Sequence, residues 1–351
     1  MTEKIKTTSI KRESFLDILR VAATCVVVLL HTLTGAVDAV DIRQYQVERT
    51  VFLVMMDMIT WCVPVFVLIS GYLFLNPLRK ISFFQMLKKY CRRILLALFI
   101  FGVPYAVLEQ ILRERTFRVS MLGQGFLNVL RGESWSHMWY LYMILLLYFL
   151  TPALKWLLVR LPKACVYALL AALFVFSSLL PFLNKLLGME LPVLPDGGIY
   201  FFYYICGYLF ACNSLQEKEH LPACRGKLFG IFILLLGMAL SRIVWDFSVQ
   251  MAYNYPFIVF LSLLIFSVGM GKKVQLAQET ASVWGRLGEM CFAVYLVHPV
   301  FINFVYKFLD ISLLDFPIGL SLPIFFVGIL LLAVIAAGVL CKIPILKKYV
   351  L

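Results

Sequence analysis

Apolar stretches of about twenty residues recur along the whole chain, and they constrain its fold more than any other feature. About twenty such residues are needed for a helix to cross the hydrocarbon core of a bilayer. The chain is 62% apolar, more than one soluble core could hide. We therefore predict an all-α integral membrane protein, a polytopic bundle of about ten transmembrane helices that forms a single domain over residues 1–351. The predicted helices lie near residues 15–37, 51–75, 94–112, 138–158, 164–183, 199–215, 227–246, 250–270, 287–309 and 318–341.

The distribution of Lys and Arg predicts that the N-terminus and the C-terminus are both cytoplasmic. Of the 32 Lys and Arg residues, 22 fall in segments that this topology places in the cytoplasm and 8 in outer loops. Basic residues accumulate in cytoplasmic loops, so the bias supports the orientation. Residues 113–131, predicted as an outer loop, are the exception because they hold four Arg. The first apolar stretch is interpreted as an uncleaved helix, because Asp17 and Arg20 interrupt its start.

Charge and cysteine patterns argue against several function classes. The net charge of +13 would suit nucleic acid, but the basic residues form no soluble basic domain, so we expect no nucleic-acid partner. Nine Cys without a C-x-x-C pair favour packing over disulfides or a zinc site, and no metal is expected. Walker, H-E-x-x-H and G-x-S-x-G motifs are absent from the sequence, which argues against nucleotide hydrolysis, zinc proteolysis and the usual serine hydrolases.

Arg20 and His31 stand out in the first apolar stretch. Eleven helical steps place them on nearly the same face, about 16 Å apart along the axis. Ionisable groups at membrane depth are costly, so they indicate a functional site. A long ligand with a phosphate head would fit between them, and Asp17, one turn before Arg20, would orient the guanidinium. The alternative is that Arg20 reaches lipid phosphate while His31 only packs.

A basic amphipathic segment follows the second stretch. In residues 79–93 apolar side chains recur at helical spacing, while Lys88, Lys89 and Arg92 fall elsewhere around the helix. The pattern predicts a helix on the cytoplasmic interface that contacts membrane lipids. Its role is either a headgroup anchor or a phosphate-binding lip at the mouth of an internal site.

The ninth stretch carries Cys291, Tyr295 and His298 on one helical face. His298 lies as far along its helix as His31 does along the first, so we predict a polar chamber that the two histidines share. His298 alone would equally suit a structural hydrogen bond.

Other polar residues allow two interpretations each. Asp57 in the second stretch either pairs with one of these histidines or faces water, and Ser70 lies near the cytoplasmic end of the same stretch. His137, within an aromatic run, suits an interfacial belt or an acceptor-binding lip. Arg242 and Asp246, one turn apart, are an acceptor-binding pair or a local ion pair.

Five segments together resemble the acyltransferase-3 family of membrane O-acyltransferases: FLDILRVAATCVVVLLH (15–31), VPVFVLISGYLF (63–74), KKYCRRIL (88–95), HMWYLYMILLLYFLTP (137–152) and LGEMCFAVYLVHP (287–299). The Arg-x10-His motif of that family matches Arg20 and His31, and its basic motif matches Lys89 and Arg93. Its S-F-x-x-Y-L-x-H segment matches residues 291–298, except that Cys291 replaces the usual Ser.

The resemblance implies a plasma-membrane enzyme that moves an acetyl or other short acyl group from cytoplasmic acyl-CoA to a hydroxyl of an extracytoplasmic glycan or lipid-linked sugar. Acetyl-CoA would be a co-substrate held by Arg20, Lys89, Arg92 and Arg93, and His31 would be the general base. Asp57, Tyr295 or His298 would orient His31 or stabilise the oxyanion. The family also includes members thought to import serine or to export glycans, so a transporter is the alternative. The acceptor and the oligomeric state stay open, and a homo-oligomer is compatible with the sequence.

Overall fold

The computed structural model describes residues 13–39, 46–216, 224–245, 251–271 and 278–351, and every regular element in these ranges is helical. The α-helices are α1 Ser14–Ala39, α2 Gln46–Ile59, α3 Cys62–Phe74, α4 Phe83–Gln85, α5 Arg92–Glu114, α6 Ser120–Arg131, α7 Trp139–Arg160, α8 Lys163–Phe174, α9 Leu180–Leu187, α10 Gly198–Gln216, α11 Cys224–Trp245, α12 Pro256–Gly271, α13 Gln278–Asn303, α14 Ile318–Leu340 and α15 Pro344–Tyr349. Single π-helical segments connect α4 to α5 and α8 to α9 and extend α13: Met86–Cys91, Val175–Leu179 and Phe304–Phe308.

Seven helical stretches in the described part of the chain are long and apolar enough to cross a membrane. They are Ser14–Asp38, Val47–Phe74, Phe83–Glu114, Ser136–Arg160, Lys163–Leu187, Gln278–Phe308 and Ile318–Leu340. The remaining three predicted spans correspond to α10, α11 and α12. Because α12 has only 16 residues, or about 24 Å of helix, the count of ten crossings stays a prediction, as does the orientation of the termini.

Two predicted elements differ from the structure. Residues 113–131 are not a loop throughout, because α6 begins at Ser120 and packs Gly125 against Val107 of α5. Residues 79–93 do not form a separate interfacial helix either, because α4 and the π-helical segment continue directly into α5.

The second predicted span is broken in the middle. Residues Thr60 and Trp61 form a turn between α2 and α3. Pro64 falls in the first turn of α3, where a missing N–H leaves no hydrogen bond unmade. The break therefore precedes the proline.

Glycine allows the closest helix contact. A Cβ on Gly71 of α3 would lie 2.0 Å from the carbonyl oxygen of Tyr204 in α10, and one on Gly207 would lie 2.5 Å from the backbone of α3. Small residues let transmembrane helices approach in this way. The two glycines therefore let the backbones of α3 and α10 come into contact.

Candidate active site

Three imidazole rings meet where α1, α13 and the turn before α7 come together. The ring of His31 lies 5.2 Å from that of His298 and 6.5 Å from that of His137, measured between centroids. The rings of His137 and His298 are 5.9 Å apart. We call these three residues the imidazole cluster. His31 and His298, which the sequence predicted to share one polar chamber, are neighbours but line two different cavities, and His137 lies beside both.

Hydrogen bonding fixes the tautomer of His298. Its Nδ1 lies 3.1 Å from the carbonyl oxygen of Val294. A carbonyl can only accept, so Nδ1 carries the proton and Nε2 of the neutral ring carries a lone pair. Nε2 is buried and has no hydrogen-bond partner among the described residues, and the same holds for Nε2 of His137. Two ring nitrogens are thus held in the interior ready to exchange a proton or bind a polar group.

Tyrosines fix the backbone around the cluster. The Tyr295 hydroxyl donates to the carbonyl oxygen of His137 at 2.5 Å. The Tyr105 hydroxyl donates to the carbonyl of Leu296 at 2.6 Å, and its ring stacks on Trp135 at 4.2 Å. These bonds tie the turn before α7 to α13 and hold His137 beside His298.

A first cavity of about 680 Å³ lies on one side of the cluster. His298, Tyr295 and Cys291 line it together with Ser70. Four of its lining residues are cations and one is an acid: Arg20, Arg93, Arg286, Lys347 and Glu289. The cavity therefore suits a polyanionic ligand, since a cleft lined by one sign of charge concentrates the opposite sign.

Arg20 is held in place by Asp17. The guanidinium donates to the Asp17 carboxylate at 2.9 Å, and the Asp17 side chain is 2% exposed against 27% for Arg20. Gly288 of α13 makes room for this pair, because a Cβ there would lie 2.8 Å from Oδ1 of Asp17. The orienting role predicted for Asp17 agrees with this geometry.

The other residues predicted to bind the phosphates separate into two groups. Arg93 lines the first cavity, and its Nε donates to the Val350 carbonyl at 2.8 Å. Lys89 and Arg92 are exposed and are not among the lining residues. Lys89 lies over the ring of Tyr90 and Arg92 over that of Tyr349, each 5.4 Å from the centroid.

A second cavity of about 690 Å³ lies on the other side of the cluster. His31, His137 and Trp135 line it, together with Thr34 of α1. Its charged lining residues are four acids and two cations, namely Asp38, Glu109, Glu133, Asp310, Arg113 and Lys307. The two cavities thus have opposite balances of charge.

The cavities open toward opposite ends of the bundle. Along α1 the lining passes from Arg20 in the first cavity to Asp38 in the second, about 27 Å at the rise of a helix. In α5 it likewise passes from Arg93 to Arg113. A bilayer core is about 30 Å thick, so the two cavities together span most of it. Arg20 and His31 therefore line different cavities, and His298 is the imidazole that shares a cavity with Arg20.

Asp57 lies elsewhere. Its carboxylate accepts hydrogen bonds from Nε of Arg242 at 2.9 Å, from a second guanidinium nitrogen of Arg242 and from the backbone N–H of Met251 at 2.7 Å. Both side chains of this pair are buried, and neither lines either cavity. The structure thus pairs Asp57 with Arg242 rather than with a histidine, and Asp246 lies outside the described residues.

Sequence reasoning missed Arg286 and Lys347, and it left His137 open between an interfacial belt and an acceptor-binding lip. His137 sits in a run that resembles an interfacial belt, and its distance from His31 along the chain gives no sign that they meet. Arg286 and Lys347 belong to segments predicted as a cytoplasmic loop and tail. Their basic character was the available signal, but their convergence on one cavity depends on the tertiary fold.

Comparison with known proteins identifies the family. A family model described as an acyltransferase domain matches residues 13–342, which is nearly the whole chain. No curated protein and no solved structure matches the chain. Among the described residues, no group of three or more His, Cys, Asp or Glu side chains is arranged to hold a metal ion. The extent of the family match shows that the chain belongs to the acyltransferase-3 family.

Proposed function

We propose that the protein is a membrane O-acetyltransferase that takes its acetyl group from acetyl-CoA in the first cavity and passes it to a hydroxyl acceptor in the second. The observation that carries the proposal is the imidazole cluster, because His298 faces the first cavity while His31, 5.2 Å away, faces the second. A thioester and a hydroxyl that enter from opposite ends would meet at these rings.

The charge of the first cavity suits the donor. Coenzyme A carries several phosphate charges at one end and its thioester at the end of a flexible arm. Arg20, Arg93, Arg286 and Lys347 would hold the phosphates, and Arg guanidinium groups bind such oxygens two at a time. Lys89 and Arg92, exposed nearby in sequence, would attract the donor as it approaches.

The transfer itself needs one base and one leaving thiol. The acceptor oxygen attacks the thioester carbonyl carbon while His31 takes the hydroxyl proton. The carbon–sulfur bond then breaks, and the departing sulfur takes up that proton, so the products are an acetyl ester and free coenzyme A. The lone pair on Nε2 of His298 stabilises the imidazolium that forms on His31, and Tyr295 positions His137 through its backbone.

The setting of the reaction follows from the predicted topology. The first cavity collects residues predicted at the cytoplasmic ends of their helices, and the second collects residues predicted at the outer ends. Cytoplasmic acetyl-CoA would thus modify an extracytoplasmic glycan or lipid-linked sugar at the plasma membrane.

Binding and turnover of purified protein in lipid nanodiscs test the proposal. We expect Arg20→Gln and Arg286→Gln each to weaken acetyl-CoA binding about tenfold, because each removes a charge-assisted hydrogen bond. His31→Ala should leave binding unchanged and abolish transfer. Arg160→Gln is the matched control, since Arg160 is exposed and outside the lining of the first cavity.

Two outcomes would contradict the proposal. One is the absence of acetyl-CoA binding by folded protein that instead carries serine or another small solute into proteoliposomes, which would indicate a transporter. The other is loss of donor binding in Arg160→Gln as large as in Arg286→Gln.

A further inference from the structure

We propose that the second cavity admits hydroxyl compounds that carry no acidic group, whether neutral or amine-bearing, and excludes carboxylated and phosphorylated ones. This inference rests on the proposed function in treating the occupant of the second cavity as the acyl acceptor. It adds the chemical class of that acceptor.

The entrance of the second cavity is mostly acidic. The exposed lining residues mark the entrance to solvent, and they include Asp38, Glu133 and Asp310. Glu109 is paired with Lys307 at 3.6 Å. Apart from that pair, the described lining holds three carboxylates against the single guanidinium of Arg113. An approaching anion would meet net negative charge, and like charges brought together in a confined site repel each other.

The buried part of the second cavity holds polar atoms that no described residue satisfies. Trp135 and His137 line it and are only 8% and 3% exposed. The indole Nε1 of Trp135 and Nε2 of His137 have no hydrogen-bond partner among the described residues. A buried polar atom without a partner is costly, so these atoms are placed to bind the polar groups of a ligand. The indole only donates, and hydroxyl oxygens accept from it without bringing a charge.

The first cavity has the opposite balance of charge. There cations outnumber acids, whereas here acids outnumber cations. A polyanionic donor is therefore attracted to one end of the bundle and repelled at the other. The same field that selects the acceptor keeps the donor from passing through to the acceptor side.

A cysteine placed in the second cavity measures this field without requiring activity. Thr34 lines the cavity and is partly exposed, and Thr34→Cys changes little volume. Its modification rates with a cationic and an anionic methanethiosulfonate of equal size are compared with those of a free thiol in solution, using the unsubstituted chain to subtract native cysteines. We expect the cationic-to-anionic ratio to exceed that of the free thiol about tenfold at low salt and to fall as salt screens the field.

Variants that neutralise chosen carboxylates show which acidic residues cause the preference for the cationic reagent. Glu133→Gln combined with Asp310→Asn should lower the ratio at Thr34→Cys about threefold. Asn tolerates the left-handed backbone of Asp310, whose φ is 55°. Glu190→Gln, which removes an exposed carboxylate outside the cavity lining, should leave the ratio unchanged. A ratio equal to or below that of the free thiol would overturn the proposal.

The acetylated product distinguishes this inference from the proposed function. Mass spectrometry of envelope glycans from expressing and non-expressing cells should place the added acetyl group on a neutral or amine-bearing sugar. Acetyl on a uronic acid or a phosphorylated sugar would overturn the charge selection while supporting the transferase. No added acetyl, together with a cation-preferring cavity, would contradict the transferase while supporting the charge selection.

Discussion

At the scale of single residues, His298 is the group whose chemistry the structure defines most closely. Its Nδ1 donates to the Val294 carbonyl, so the variant His298→Asn keeps a donor near that position but loses the basic nitrogen. We expect it to lower kcat about 100-fold, because the imidazolium that forms on His31 then loses the lone pair that stabilises it. Steady-state kinetics with acetyl-CoA will measure this, and unchanged donor binding will show that the first cavity is intact. A kcat within a factor of three would exclude the role given to His298.

Tyr295 contributes through position rather than chemistry. Tyr295→Phe removes the hydrogen bond to the His137 carbonyl, and we expect kcat to fall about tenfold with the KM for acetyl-CoA unchanged. Tyr203→Phe is the control, because it removes a similar bond, 2.7 Å long, to the Tyr253 carbonyl away from both cavities. Both variants should lose about 1 kcal/mol of stability. Equal losses of turnover in the two would show that Tyr295 is only structural.

Helical periodicity predicted some of these residues and could not predict others. His31 and His298 each lie on a helix face with other polar residues. Each lies about eleven residues beyond the cytoplasmic start of its predicted site face, so the two histidines are expected at the same depth in the membrane. His137 lies in a turn, so only the tertiary fold brings it to them. The sequence allows Asp57 either a histidine partner or water, whereas the structure gives it Arg242 of α11, and no spacing rule connects two helices that far apart in the chain.

At the scale of elements, the Asp57–Arg242 pair joins α2 to α11. Asp57→Leu removes the carboxylate that accepts from the buried Arg242 guanidinium, so it should lower the free energy of unfolding by about 3–5 kcal/mol. The double variant Asp57→Leu with Arg242→Met should recover much of that loss. Thermal unfolding in detergent will show the recovery. Turnover per folded molecule should stay normal in the double variant, and its loss would instead support a catalytic Asp57.

The α3–α10 contact gives a second prediction at this scale. Gly71→Ala would place a Cβ against the Tyr204 carbonyl, so the helices must move apart, at a cost of about 3 kcal/mol or more. Gly123→Ala in α6 has open space around the new Cβ and should be neutral or stabilising by up to about 1 kcal/mol. Thermal unfolding of both variants tests the contrast, and equal stability would contradict the tight packing at Gly71.

The lengths of the apolar stretches predicted where helices lie but did not predict where they are interrupted. All ten predicted stretches contain α-helix, because about twenty apolar residues leave few alternatives. The turn at Thr60 and Trp61 and the π-helical segments depend on packing that a hydropathy pattern does not encode. Helix α6 was missed because its 12 residues are too few to cross a membrane, and only the tertiary fold packs Gly125 and Val129 against α5.

At the scale of the whole molecule, the two cavities predict that opposite membrane faces lead to opposite sides of the imidazole cluster. Thr34 lines the second cavity, and the native Cys291 and Cys341 line the first. A membrane-impermeant thiol reagent added to intact cells should therefore label Thr34→Cys well above the unsubstituted chain. In inside-out vesicles the unsubstituted chain should be labelled, and Cys341→Ser should reduce that labelling. Labelling of Thr34→Cys from the inner face alone would reverse the predicted orientation. Equal labelling from both faces would show one continuous channel through the protein. Such a channel would contradict an enzyme that keeps its donor and its acceptor on separate sides of the membrane.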